Sequence, residues 1–262
     1  MDIEKLFRSI STDLHFESEA DYKRAWQQRM PQRNLFVLAF EGGAIADRLS
    51  YVFLAAYQAA VRYCFPVATD DTFYAFAASE DRSGKLPGAQ IRDGRLYGSK
   101  TWIAASACVD WLIVTTAGSC LLVSANSPGV TLDHGAPKTF LPDLSQGRAH
   151  FNGADFETTE MQGEFGLAEA FFVTSAAAGF LARENFRGED ESRFQAALAQ
   201  ATVLETLYTA GIDSNLAQFT AVYAAIKSLG KQMASNTLNE GQAEDWQNNG
   251  RLLGMYGGRL HT

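Results

Sequence analysis

The alternation of hydrophobic and polar positions divides the chain into three segments. Residues 1–71 carry apolar residues at intervals of three and four, the spacing of helices that bury one face. Residues 72–160 change to short runs rich in β-branched and aromatic residues, separated by Gly, Pro, Asn and Asp, which predicts strands. Residues 161–262 return to the helical period. The chain therefore has the order α, then β, then α.

Local signals place the first elements. A helix is predicted to begin at Ser18 and to stop at Pro31, and a second to begin near Gly43 and to halt before Pro66. Asp93-Gly94 stands between two extended runs, which is the strongest short-range hairpin signal in this sequence.

The third segment predicts about four helices. Asp190 and Asp213 look like helix starts, because a carboxylate can accept from exposed amides in the first turn. Gly188, Gly211 and Gly241 look like helix stops. Helices of this length pack antiparallel to their neighbours, so we predict a four-helix bundle.

Together these patterns predict an α+β protein. It has a short N-terminal helical region, a middle antiparallel β-barrel or sandwich of six to eight strands, and a C-terminal four-helix bundle. The expected domain boundaries are 1–71, 72–160 and 161–262.

Composition narrows the cellular setting and the function class. Of the 262 residues, 22 are Lys or Arg and 30 are Asp or Glu, for a net charge of −8, so the chain lacks the basic face that binds nucleic acid. Three scattered cysteines indicate reduced thiols rather than a disulfide framework. No signal-peptide pattern begins the chain, and its longest apolar run is too short to span a bilayer. We expect a cytoplasmic protein with no membrane contact.

Common catalytic motifs are missing from the sequence. The four histidines are isolated from one another and from cysteines, so no metal site is predicted. Gly42-Gly43 does not belong to a dinucleotide fingerprint, because no GxGxxG follows a strand. Gly98-Ser99-Lys100 precedes a strand rather than a helix, which favours a turn over a phosphate loop.

One stretch carries a family resemblance. Residues 77–116 resemble the middle β domain of the acyl-CoA dehydrogenases, and the matching residues are Ser79-Glu80, Gly94, Leu96, Gly98, Lys100, Trp102-Ile103 and Val109-Asp110. The resemblance implies a shortened, divergent member with FAD as cofactor. It also implies α,β-dehydrogenation of an acyl-CoA or similar small thioester. The implied assembly is a homo-oligomer, dimer or tetramer, or a hetero-oligomer with a full-length dehydrogenase.

The flavin also has a physical rationale at this hairpin. An isoalloxazine ring needs a flat wall and a few hydrogen bonds in the plane of the ring. Trp102 is the candidate wall, the main chain at Ile103 and Ala104 offers edge contacts, and Ser79 offers a hydroxyl. The alternative from periodicity alone is that Trp102 and Trp111 fill the β core.

Other cofactor contacts are implied by the resemblance. Arg183 with Phe186 corresponds to an Arg-Phe element that reaches the dinucleotide of a neighbouring subunit in the family; Arg193 with Phe194 is a second alignment that competes with it. The alternative is that these residues cap and pack two bundle helices.

The catalytic base is the weakest part of the match. The family's Tyr-Glu-Gly stretch reads Tyr256-Gly257 here, and a glycine cannot take a proton. Glu169 matches the position at which some members carry the base instead; otherwise it is a surface residue that complements the helix dipole. Ala104 replaces the hydroxyl that most members place beside the reactive flavin nitrogen.

Three functions stay open on this basis. The first is an FAD-binding acyl-CoA dehydrogenase-like oxidoreductase. The second is a catalytically degenerate member that acts as a non-catalytic partner subunit or binding protein. The third is an unrelated α-β-α binding module whose hairpin matches by chance.

Overall fold

The computed structural model describes residues 1–11, 13–30, 34–135, 138–236 and 240–257. The helices are α1 Ile3–Arg8, α2 Glu19–Gln27, α3 Leu35–Ile45, α4 Leu49–Cys64, α5 Phe165–Arg187, α6 Glu191–Ala210, α7 Leu216–Asn236 and α8 Glu240–Asn249, followed by a 3₁₀ turn at Gly250–Gly254. The strands are β1 Tyr74–Ala77, β2 Gln90–Arg92, β3 Arg95–Ala104, β4 Trp111–Thr116, β5 Ser119–Ser124, β6 Val130–Asp133, β7 Gln146–Ala154 and β8 Glu157–Thr159.

The chain forms two compact units. The helical unit contains Met1–Glu17, Gln28–Ala60 and Glu164–Thr262, and the β unit contains Ser18–Gln27 and Val61–Gly163. Helix α4 runs from the first unit into the second. The expected boundaries at 71/72 and 160/161 stay a prediction about how the chain divides into domains.

The helical unit is built on a close crossing of α3 and α5. A Cβ on Gly43 would lie 1.8 Å from the carbonyl oxygen of Ala176, and one on Gly179 would lie 2.1 Å from the carbonyl oxygen of Phe40. The backbones of α3 and α5 are therefore in direct contact at these two glycines, where there is no side chain to separate them. Helix α5 is buried along most of its length, including Phe171, so it is the core helix of this unit.

Two predicted helix boundaries are wrong. The second helix does not begin near Gly43, because that residue lies inside α3; α4 begins at Leu49. Gly43 does not start a helix, because its missing side chain lets α3 continue under α5. Gly241 lies inside α8 and does not end a helix. The predicted stop at Pro31 falls outside the described residues, and α2 ends at Gln27.

Several caps follow the sequence signals. The Asp190 carboxylate accepts from the amide of Arg193 at 3.0 Å at the start of α6, and Gly188 follows the last residue of α5. Helix α7 begins at Leu216, three residues after Asp213, because the Asn215 side chain caps it instead, by accepting from the amide of Gln218 at 3.0 Å.

The β unit is a sandwich of two four-stranded sheets. Their strand orders are β1-β4-β5-β8 and β2-β3-β7-β6. Apolar side chains from both sheets, among them Leu96, Ile103, Leu112 and Phe151, form the core between them. The expected arrangement was antiparallel throughout, but β1 pairs parallel to β4, because the chain between them crosses to the other sheet through β2 and β3 and returns in the same direction.

The predicted hairpin at Asp93-Gly94 is present. Strands β2 and β3 pair antiparallel with Arg92 opposite Arg95. Asp93 and Gly94 have φ values of 47° and 71°, the left-handed pair that a type I′ turn requires. Asp and Gly tolerate this region, which is why the signal was readable locally.

Helix α2 packs on the β unit through a polar contact at its centre. The Lys23 ammonium donates to the Asp110 carboxylate at 2.5 Å, and the same carboxylate oxygen accepts from the amide of Phe73 at 2.7 Å. Trp26 packs edge-on against the Phe73 ring, with centroids 5.5 Å apart. These contacts position the start of β4 beside β1.

Within the described residues, α5 is the one helix whose length and composition would allow it to cross a membrane. Most of it is buried among other helices of its unit, which is typical of the core helix of a water-soluble protein.

Candidate functional site

Trp102 is placed by an irregularity near the end of β3. Lys100 pairs with Ala149 on β7, but Ile103 pairs with Gly147, so β3 carries one extra residue between the two pairs. An extra residue of this kind bends a strand and re-aims the side chains beside it. Trp102 is therefore half-buried rather than part of the sandwich core, which removes the alternative that it fills that core.

The indole of Trp102 is held at its polar edge. Its Nε1 donates to Oε1 of Gln146 at 3.2 Å. The Gln146 Nε2 in turn donates to the carbonyl oxygens of Phe140 and Leu141, at 2.7 and 3.3 Å. Sequence reasoning missed Gln146, because nothing local in the sequence links it to a residue 44 positions away.

Ser79 lies beside the same part of β3. Its side chain is exposed in the loop after β1, and its carbonyl oxygen accepts from the amide of Thr101 at 2.9 Å. The structure thus places Ser79, one of the residues that the sequence assigns to a flavin site, against Thr101, the residue before Trp102. We call Ser79, Glu80, Trp102 and the main chain of residues 103–104 the Trp102 edge.

A buried lysine fixes the loop that carries Ser79. Lys100 is 1% exposed, and its ammonium donates to Glu80 Oε1 at 2.7 Å and to Thr115 Oγ1 at 3.0 Å. This hydrogen bond is the main reason why the pKa of Glu80 lies below its usual range. Because an ammonium is rarely buried without partners, these contacts define one position for the loop relative to β3.

The main chain at Ile103 and Ala104 is paired on one side. Both side chains are fully buried, and the backbone pairs with Gly147 and Gln146 of β7. On the opposite side of β3, β2 pairs only with residues 95–97, so no described strand pairs with residues 103–104 there. Both residues are 0% exposed, main chain included, so their backbone groups are not open to a ligand in this structure.

The loop after the Trp102 edge closes on itself. The Asp81 carboxylate accepts from the amides of Ser83, Lys85 and Leu86 at 2.9 Å each. These bonds lower the pKa of Asp81 to about 2. The side chains of Arg82 and Lys85 are exposed, so the loop offers positive charge next to the edge.

The Trp102 edge fits one part of FAD well. A half-buried indole and an exposed hydroxyl at Ser79 match the flat, apolar and edge-polar character of isoalloxazine. The side chain of Ala104 provides no hydroxyl and its backbone is buried, so the exposed Ser79 hydroxyl is the candidate group that is open to the polar edge of the ring.

A separate hollow of about 730 Å³ opens on the other sheet of the β unit. Hydroxyl groups of Thr115, Ser119 and Thr158 line it, together with Cys120 and Glu160. Burial raises the pKa of Cys120. Neither Ser79 nor Trp102 lines this hollow, so it is distinct from the Trp102 edge.

In the helical unit, Glu169 is half-buried on α5. The helix begins at Phe165, so Glu169 lies past the first turn, where a carboxylate gains less from the helix dipole. The surface interpretation is therefore weakened, although nothing in the structure assigns Glu169 a reaction.

Gly257 follows the 3₁₀ turn near the end of the described chain. A Cβ at this position would lie 3.6 Å from the ring of Tyr223, which is ordinary contact. Burial raises the pKa of the Tyr223 hydroxyl, and the nearby backbone of Tyr256 and Gly257 partly offsets the effect. The position thus has room for the first atom of a side chain but supplies no carboxylate.

Arg183 has partners within its own unit. It is 2% exposed and donates to the carbonyl oxygens of Ala46 at 2.6 Å and Leu14 at 3.3 Å. Burial lowers the pKa of its guanidinium. Its contact with a dinucleotide of another subunit stays a prediction, and the contacts seen here tie α5 to the N-terminal segments.

Phe186 is more accessible. It is 42% exposed and packs against Phe7 and Phe194, with ring centroids 5.7 and 5.3 Å apart. The competing alignment places a fully buried ring, Phe194, at the contact position, whereas Phe186 still presents part of its ring to solvent. Exposure therefore favours Phe186 over Phe194 as the residue available to a ligand.

Comparison with known proteins identifies the fold. No protein-family model and no curated protein sequence matches the chain. Among solved structures, an FAD-dependent dehydrogenase matches with a TM-score of 0.63 and 14% identity, over 99% of this chain and 96% of that one. Glutaryl-CoA dehydrogenase from Mycobacterium smegmatis matches with a TM-score of 0.62 and 11% identity, over 99% and 93%.

An acyl-CoA dehydrogenase from Geobacillus kaustophilus also matches, with a TM-score of 0.59 and 12% identity, over 98% of this chain and 90% of that one. These likenesses extend over nearly the whole chain. The α+β fold expected from the sequence resemblance is thereby confirmed as the fold of the acyl-CoA dehydrogenases.

Proposed function

We propose that this chain, which has the acyl-CoA dehydrogenase fold and a half-buried tryptophan near the end of β3, is an FAD-binding oxidoreductase. Its substrate is an acyl-CoA or a similar small thioester, which it oxidises between the α- and β-carbons. The observation that carries the proposal is the Trp102 edge, where the loop of Ser79 is hydrogen-bonded to Thr101, the residue before Trp102, although 22 positions separate Thr101 from Ser79 in the chain.

The fold comparisons support this assignment in outline. The matched structures are named as an FAD-dependent dehydrogenase and as dehydrogenases of acyl-CoA thioesters. We extend the cofactor and the substrate class to this chain because its own residues suit a planar ring at the Trp102 edge. Cytoplasmic location and assembly into a homo-oligomer, or with a full-length dehydrogenase, belong to the same proposal.

In the proposed reaction the chain performs binding and proton transfer. Bound FAD supplies the hydride acceptor. Trp102 would provide the flat wall for the ring, and the exposed Ser79 hydroxyl would contact its polar edge. Glu169 would act as the base that takes the proton from the α-carbon of the thioester as its α,β bond is oxidised.

The cofactor part is tested first. Purified protein is incubated with FAD, passed through a desalting column and scanned in the visible range. We expect flavin absorption to travel with the protein in a stoichiometric amount. A colourless protein that is folded by circular dichroism would refute the proposed cofactor.

The base is tested on the flavin-loaded protein. Anaerobic addition of a panel of CoA esters is expected to bleach the flavin, and Glu169→Gln should slow bleaching at least about a hundredfold, the usual contribution of a positioned general base. Flavin content should be unchanged in the variant. An unaltered bleaching rate would exclude Glu169 from this role.

A second function is favoured by two specific residues. Gly257 and Ala104 lack the carboxylate and the hydroxyl that the resemblance would place there. A non-catalytic partner subunit that keeps the fold has no need of either group. If the wild type binds FAD but no thioester bleaches it, co-purification with a full-length dehydrogenase is the discriminating measurement.

A further inference from the structure

Gln146 connects the indole of Trp102 to the loop that precedes β7. Its Oε1 accepts from Trp102 Nε1 at 3.2 Å, while its Nε2 donates to the carbonyl oxygens of Phe140 and Leu141. Gln146 also pairs through its backbone with Ala104 of β3. One residue thus contacts both the side chain and the main chain of the Trp102 edge.

The orientation of the Gln146 amide is determined by these partners. An amide group has one acceptor oxygen and two N–H donors. If it were flipped, the oxygen would face two carbonyl oxygens and the nitrogen would face an indole N–H. Both contacts would be repulsive, so only the observed orientation satisfies all three groups.

The loop that receives the Gln146 amide is itself well anchored. The Leu141 side chain is 2% exposed, and its backbone has a φ of 53°, in the left-handed region. The carbonyl oxygen of Leu141 also accepts from the amide of Leu144 at 3.0 Å. Gln146 therefore links the Trp102 indole by hydrogen bonds to a turn whose position is fixed.

Trp102 needs such a contact because of its place in the strand. The extra residue in β3 interrupts regular pairing at Thr101 and Trp102, so the strand alone does not determine the angle of the ring. We propose that Gln146 is a positioning residue which sets the plane of the Trp102 indole against which the flavin stacks. This inference rests on the proposed function.

The apoprotein offers a test that needs no flavin. All four tryptophans are replaced by 5-fluorotryptophan, and Trp102→Phe identifies the Trp102 signal in the ¹⁹F NMR spectrum. Gln146→Met keeps the length of the side chain but removes the amide, and we expect it to shift and broaden the Trp102 signal alone. Gln90→Met, on the adjacent strand β2, is the matched control and should leave that signal unchanged.

Flavin affinity provides the second arm. In FAD titrations, Gln146→Met should raise the dissociation constant about two- to tenfold, the effect of one neutral hydrogen bond. In a Trp102→Phe background the same change should add nothing, because the N–H donor is already gone. Gln146→Glu keeps an acceptor for the indole but has no donor for the loop carbonyls, so its affinity for FAD should also be lower than that of the wild type.

The outcomes separate the two ideas. If the chemical shift and width of the Trp102 signal are unchanged by Gln146→Met, the positioning role is overturned, whether or not flavin binds. Equal weakening by Gln146→Met with and without the indole N–H overturns it as well, since the effect would then be a general loss of structure. A wild-type protein that binds no FAD overturns the proposed function and, with it, the flavin part of this inference.

Discussion

Replacement of Gly43 by Ala tests the packing of the helical unit. The new Cβ would lie 1.8 Å from the carbonyl oxygen of Ala176, against an ordinary contact of 3.4 Å, so α3 and α5 must separate locally by about 1.6 Å. Neither partner is a flexible side chain, because both are helix backbone. The same argument applies to Gly179→Ala, whose Cβ would lie 2.1 Å from the carbonyl oxygen of Phe40.

The magnitude follows from two opposing effects. Overpacking of a core costs about 1–3 kcal/mol, and a clash between backbones belongs at the upper end. Alanine returns about 1 kcal/mol through its higher helix propensity. We therefore expect Gly43→Ala to lower the free energy of unfolding by about 2 kcal/mol, and Tm by about 4–8 °C for a chain of this size.

The assay is urea and thermal unfolding followed by circular dichroism at the helix band. Gly254→Ala is the control, since its Cβ would approach only the flexible Lys227 side chain, at 3.8 Å, and stability should change by less than about 0.5 kcal/mol. If Gly43→Ala were as stable as Gly254→Ala, the close crossing of α3 and α5 would be refuted.

Two further predictions concern the Trp102 edge. Trp102→Ala should weaken FAD binding by about tenfold or more in fluorescence titrations, because a stacked ring contributes about 1–3 kcal/mol, whereas Trp111→Ala should have little effect on affinity beyond any loss of stability. Equal losses would contradict the assignment of the wall. The second prediction is a pH dependence. Because the Lys100 hydrogen bond depresses the pKa of folded Glu80, its stabilising contribution is complete above the ordinary value of 4.5 and is lost as the pH falls through the folded value. The wild type should thus exceed Glu80→Gln in urea midpoint near pH 6 and lose that advantage near pH 3; a constant difference would show that the carboxylate charge is irrelevant.

Elements with local causes were predictable from the sequence. The Asp93-Gly94 turn needs two residues that tolerate positive φ, and both stand in the chain next to strands of the right period. The Asp190 cap needs only an amide three residues away. Such signals depend on neighbours within one turn, so no tertiary information is needed to read them.

Gly43 shows where that reasoning fails. Glycine lowers helix propensity, so a Gly-Gly pair looks like a boundary. Its actual role depends on Ala176, more than a hundred positions later in the chain, whose backbone occupies the space where a side chain would be. Propensity is a weak preference, and tertiary packing overrode it here.

In the candidate site, too, some features follow from the sequence and others depend on tertiary packing. The sequence by itself determined that a tryptophan, a serine and a hairpin of the right kind occur in a β segment, and it supplied Glu169 and the missing carboxylate at Gly257. It also determined the α+β fold, because hydrophobic periodicity depends on the spacing of residues along the chain.

Only the tertiary structure decided how Trp102 is held. The extra residue in β3 turns the indole out of the core, Gln146 holds its N–H, and Lys100 fixes the loop of Ser79 through Glu80. These partners are 44 and 20 positions apart in the chain. Hydrogen bonds between distant segments form only after β3 has paired with β7 and the loop after β1 has packed beside β3, and no period or motif in a single sequence encodes which donor will meet which acceptor.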